Sequence, residues 1–207
     1  MSYVLAALLG YFVGCFQTAY LMGVYLKKMD IRQHGSTNAG ASNAAIVFGL
    51  KYGLLTAFID ILKTVVAVGI VSYFFPDNLI IQFVAGLSCI VGHMFPFYMD
   101  FKGGKGFASY AGLIVAMDVR LGLLMIIVFF LVALILDKVF LSAMFATLFY
   151  PAYNLYIGSP PSVILMLMGM FALMTYKHKE NIRRFRVGEE KGIRDYIAHR
   201  KTIKLDK

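Results

Sequence analysis

Along this chain the apolar positions do not alternate with polar ones or form a single helical stripe. They gather in long runs, at 3–26, 52–75, 79–97, 107–117, 121–136, 139–157 and 161–176, with the polar residues confined to the intervals. A helix needs about 20 apolar residues to cross a bilayer, and several of these runs reach or approach that length. The pattern predicts an all-α integral membrane protein of seven transmembrane helices, built as one domain over 1–207 with a basic cytoplasmic tail over 177–207. The count turns on 107–136, where "MDVR" interrupts a long apolar stretch. A turn at Asp118 to Arg120 puts Lys27, Lys28, Arg32, Lys51, Lys102, Lys105, Lys138 and the eleven Lys/Arg from Lys177 onward on one side, leaving only Arg120 opposite and Lys63 within a span. Cations favour the cytoplasmic face, so the N-terminus is expected outside and the C-terminus inside. The short fourth and fifth spans must borrow length from their flanks or thin the bilayer.

Composition sharpens this picture. Hydrophobic residues are 60% of the 207, charged residues 15%, and the mean hydropathy is +0.74, which excludes an ordinary soluble domain. The net charge of +9 collects where anionic lipid headgroups would meet it, so no nucleic-acid partner is expected. No cation precedes the first apolar run, which reads as a retained span rather than a cleaved signal. Cys15 and Cys89 fall within apolar runs and read as buried free thiols. No Cys, His or carboxylate cluster has ligand spacing, so neither a metal nor a cofactor is expected.

Three polar clusters share the predicted cytoplasmic side: "HGSTNAGASN" at 34–43, "GHMFPFYMDFKGGKG" at 92–106 and "HKENIRRFRVGEEKG" at 178–192. In the first, Ser36, Thr37, Asn38, Ser42 and Asn43 offer hydroxyl and amide groups to a polyhydroxy substrate or an oxyanion, or else cap the following helix. In the second, Gly103, Gly104 and Gly106 with Lys102 and Lys105 suit a backbone nest for phosphate, or a plain glycine-rich turn. It lacks the spacing and terminal hydroxyl of a nucleotide loop. In the third, His178 is a candidate base, Asn181 lies three residues on along the same helical face, and Arg183, Arg184 and Arg186 can grip phosphate or lie on anionic lipid. His93 reads as a structural residue ordering its loop, and His199 as solvated tail. Asp60 and Lys63, three apart inside the second span, read as a self-neutralising pair or as a functional one.

In order and over nearly the whole chain, "GSTNAGASN", "GHMFPFYMDFKGGKGFA" and "HKENIRRFRVGEE", with "DILK" in the second span, resemble the motifs of the bacterial acyl-phosphate:glycerol-3-phosphate acyltransferase family, the PlsY type. The resemblance implies a multi-pass enzyme of the bacterial inner membrane that moves a fatty acyl group from acyl phosphate to the sn-1 hydroxyl of glycerol 3-phosphate. The products are lysophosphatidic acid and phosphate, the first acylation of phospholipid synthesis. Carried over residue by residue, it implies Ser36, Lys105, His178 and Asn181 as catalytic. Asn38, Asn43, Gly103, Gly104, Gly106 and Glu190 are implied to bind substrate, and Lys102 and Arg183 join them as candidates on their own charge. Two positions depart from the family pattern: Ile46 stands where an arginine is usual, three residues after Asn43, and Thr37 replaces the usual glycine. A small anion transporter is the alternative from a different class, drawing on Asp60 and Lys63, and a weakly active divergent paralogue is another, drawing on Ile46.

Overall fold

A computed structural model describes residues 1–196; His199 and the end of the tail lie outside the described residues. The described residues contain helices and turns and no strand. The helices are α1 (Ser2–Gly14), α2 (Thr18–Lys27), α3 (Ala41–Val47), α4 (Leu50–Phe74), α5 (Leu79–Met94), α6 (Phe107–Met117), α7 (Val119–Leu136), α8 (Val139–Tyr156), α9 (Pro161–Lys177) and α10 (Lys179–Arg186). Every apolar run predicted to span is helical. By length and composition, 2–27, 50–74, 79–99 and 119–136 can each cross a membrane, while α6 and α9 are shorter apolar helices. The break predicted at Asp118 is present: its backbone is extended, and its carboxylate accepts from the Leu121 N–H at 2.9 Å, capping α7.

The first run departs from expectation. Expected as one continuous span, it divides at Cys15–Gln17 into α1 and α2. A helix break at such depth persists only where its freed backbone groups find partners. Here Gly14 O accepts from Gln17 Nε2 (3.4 Å), Cys15 O from the Tyr98 hydroxyl (2.8 Å) and Phe16 O from Lys63 Nζ (2.7 Å). Lys63 is in turn paired with Asp60 at 2.8 Å, both buried.

The described residues form two compact units, Met1–Gly122 and Leu123 onward. Within the first, α1 lies so close to α5 that a Cβ on Gly14 would sit 2.0 Å from Cys89 O, and one on Gly92 2.1 Å from Tyr11 O. Small residues allow that approach, and it fixes the end of α5 from which the second polar cluster emerges. Cys15 and Cys89 are buried free thiols, as expected. Within the second unit α8 packs on α9, and an edge contact between Phe140 and Phe185 (5.6 Å between centroids) holds α10 against α8.

Candidate functional site

The first cluster is a loop braced from within. A 3₁₀ turn at Ile31–Gln33 is capped by Asp30, whose carboxylate takes Arg32 Nε and Nη2 in a fork at 3.1 and 2.8 Å. That side-chain bond from Arg32 holds the Asp30 carboxyl below the usual carboxylate range. The remaining Arg32 nitrogen, Nη1, donates to Met99 O at 2.9 Å and so ties the first cluster to the second. Asn43, at the start of α3, is fully buried: its oxygen accepts from Ser36 N (2.7 Å), and its nitrogen donates to Ile31 O (3.0 Å) and His34 O (2.9 Å). Expected as a substrate contact, Asn43 is instead the brace of the loop, because its amide is committed to backbone. Nor does any hydroxyl or amide side chain cap α3; its N-cap is Gly40, with no side-chain bond. The brace presents half-buried Ser36 and Asn38, while Ile46 is a half-buried residue of α3.

Thr37 sits at φ 59°, the left-handed region, where the glycine usual at this position carries no Cβ penalty. That conformation costs a side chain about 1–2 kcal/mol, and glycine returns part of it through unfolded-state entropy. Thr37→Gly is therefore expected to raise the thermal midpoint in detergent by roughly 2 °C.

The second cluster corrects the nest expectation. Gly103 N donates to Met94 O (3.2 Å) and Gly104 N to His93 O (3.1 Å), so these glycine amides cap the last carbonyls of α5 rather than turning toward an anion. Gly104 is glycine for steric reasons, since an added Cβ would lie 2.1 Å from His93 Nε2. Gly106 takes φ 91° as the N-cap of α6. Helix geometry aims the first N–H groups of α6 back toward this loop, and Lys105, half-buried, stands one residue before its N-cap Gly106. Positive potential here comes from Lys105 and a helix start; Lys102 is exposed.

The third cluster lies in the second unit. His178 closes α9 and opens α10, buried, with Nδ1 2.8 Å from Met174 O. A carbonyl can only accept, so Nδ1 carries a proton and the neutral ring's lone pair lies on Nε2. Asn181, one helical turn on and also buried, donates to Glu190 Oε1, while Arg184 Nε donates to Glu190 Oε2 at 2.7 Å. Glu190, expected among the substrate contacts, thus clamps Asn181 and Arg184. Arg183 points away: it is exposed and pairs with Glu180 at 3.1 Å, an arrangement of little energetic weight. Arg184 is the arginine that shares Glu190 with Asn181. Arg32 was missed altogether as a linker; the close Asp30-x-Arg32 spacing was its only sequence signal.

Similar proteins bear on this arrangement. A sequence model described as glycerol-3-phosphate acyltransferase matches residues 4–188. A glycerol-3-phosphate acyltransferase of Pelagibacter ubique is 35% identical over 190 residues, covering 92% of this chain and 97% of that protein. The crystal structure of PlsY (YgiH), an integral membrane glycerol 3-phosphate acyltransferase, in its glycerol 3-phosphate form superposes with a TM-score of 0.86 at 31% identity, over 93% of this chain and 96% of that one. Its lysophosphatidic acid form gives 0.81 at 30% identity, over 93% and 95%. With its several apolar helices and its three polar clusters, the chain belongs to the glycerol-3-phosphate acyltransferase family of integral membrane enzymes.

Proposed function

We propose that this protein transfers a fatty acyl group from acyl phosphate to the sn-1 hydroxyl of glycerol 3-phosphate at the inner face of the bacterial inner membrane. The likeness to a solved acyltransferase holding glycerol 3-phosphate carries the reading. In the reaction the hydroxyl oxygen attacks the acyl carbonyl, a tetrahedral intermediate forms, and collapse breaks the mixed-anhydride C–O bond to release phosphate. Acyl phosphate already has a good leaving group, so the protein need supply no covalent nucleophile. It must hold two anionic molecules together and aim one hydroxyl. Lys105 and the start of α6 take a phosphate. Ser36, held by Asn43, orients substrate together with Asn38, and Asn181, held by Glu190, does the same. His178 Nε2 accepts the hydroxyl proton. Asp60 and Lys63 are bonded to each other and to the break in the first span, which withdraws the support they lent a transport role.

The test supplies purified protein with palmitoyl phosphate and labelled glycerol 3-phosphate, with acyl-coenzyme A and acyl carrier protein thioesters as alternative donors. Lysophosphatidic acid is expected from acyl phosphate alone; no transfer from any donor would overturn the reading. Lys105→Ala is expected to lower kcat/KM roughly thirtyfold, about 2 kcal/mol for a charged hydrogen bond.

The seven helical runs are taken as seven spans in one domain, with the N-terminus outside. Arg120→Cys and Lys191→Cys are then expected to react with an impermeant thiol reagent from opposite faces of sealed vesicles. Labelling of both from one face would exclude this topology.

A further inference from the structure

The break in the first span needs one donor for each freed carbonyl, and an uncharged group serves at two of them, Gln17 for Gly14 O and Tyr98 for Cys15 O. At Phe16 O the donor is an ammonium with a carboxylate partner, a costly choice at membrane depth. The other Lys63 bonds show what the charge adds. Its three N–H groups meet Phe16 O at 2.7 Å, Asp60 Oδ1 at 2.8 Å and His93 Nδ1 at 2.8 Å, and Asp60 Oδ1 also accepts from Thr18 Oγ1 at 3.3 Å. Asp60, Lys63 and His93 are all buried. Asp60 Oδ1 also lies 3.6 Å from His93 Nδ1, but the Lys63 ammonium stands closer, at 2.8 Å, and has no lone pair, so Nδ1 accepts and the proton of the neutral ring is on Nε2. Nε2 is the ring atom nearest to where a Cβ on Gly104 would stand, 2.1 Å away, with Cε1 at 2.8 Å. The backbone of His93 holds the same residue, its carbonyl accepting from Gly104 N (3.1 Å) and from Gln17 Nε2 (2.9 Å).

We propose that Asp60, Lys63 and His93 are positioning residues for the loop that carries Lys105: the pair on α4 fixes the Nε2–H tautomer of His93, which seats Gly104 and turns an N–H, not a lone pair, toward the loop. A lone pair there would repel an anion held by the neighbouring Lys105; an N–H favours it. The inference rests on the reading that Lys105 and the start of α6, to which this loop leads, take a phosphate.

The test follows inorganic phosphate as a competitive inhibitor, together with the nitrogen-15 spectrum of histidine-labelled protein. Asp60→Asn/Lys63→Met removes both charges and leaves neither buried alone. It is expected to shift His93 away from the Nε2–H tautomer and to raise the phosphate Ki about tenfold, the weight of one well-placed hydrogen bond. Lys105→Ala should also raise that Ki but leave the His93 spectrum as in the parent. A raised Ki in Lys105→Ala with tautomer and Ki both unchanged in the double variant would overturn the relay. An unchanged Ki in Lys105→Ala would instead overturn the loop reading beneath it. Should the double variant not fold, His93→Gln, which keeps an N–H near the loop, is expected to hold the Ki within about twofold of the parent while His93→Leu raises it about tenfold; equal values in the two would overturn the relay.

Discussion

Gly104→Ala is expected to lower kcat/KM roughly a hundredfold while the helices remain folded. The added methyl would stand 2.1 Å from His93 Nε2, and the ring has no room to swing away because Lys63 holds its other nitrogen at 2.8 Å. Moving the loop instead breaks the Gly104 N–H bond to His93 O. Overpacking of this kind costs about 1–3 kcal/mol, and because two backbone bonds, Gly103 N to Met94 O and Gly104 N to His93 O, hold the loop to the end of α5, the strain falls on them and displaces Lys105. The effect then appears in turnover of acyl phosphate rather than in the thermal midpoint. Gly69→Ala is the control: apart from its own stretch of α4, no atom lies within 4 Å of its added methyl, so activity should be unchanged and stability slightly higher, by about 0.5–1 kcal/mol. Equal losses in both variants would place the effect in general helix packing, and full activity in Gly104→Ala would mean that the loop tolerates displacement.

The helical segments were legible because the length of an apolar run is a local property. So was the strain at Thr37, since a glycine-favouring position follows from the pattern of the motif and φ 59° is what such a position requires. The division of the first span was not legible. It is permitted by the near contact of Gly14 with Cys89 O and by a lysine 47 residues away, and neither leaves a mark on the run from 3 to 26. The glycines of the second cluster were recognised as a tight loop, yet their composition suggested amides facing an anion, whereas those amides are committed to the end of α5. Composition also could not separate residues that meet substrate from residues that hold them. Asn43 and Glu190 were grouped with the residues they hold, because only the burial and bonding of each amide and carboxylate show that they are committed to bracing.

That distinction bears most on His178. Replacement by alanine is expected to lower kcat by about two to four orders of magnitude, the usual worth of a positioned general base. The argument is one of orientation. Met174 O accepts from Nδ1, so a neutral ring carries its lone pair on Nε2, the atom a base needs. His178→Asn and His178→Gln separate this from simple positioning. Either amide can hydrogen-bond a hydroxyl, but neither takes up its proton, so both should retain the KM for glycerol 3-phosphate within a few-fold and share the loss in kcat with alanine. Recovery of most of the turnover by either amide would make His178 an anchor for substrate, with a substrate phosphate oxygen accepting the proton. Glu190→Gln supplies the contrast: it weakens the hold on Asn181 and Arg184 without touching the imidazole, so its cost should fall mainly on KM.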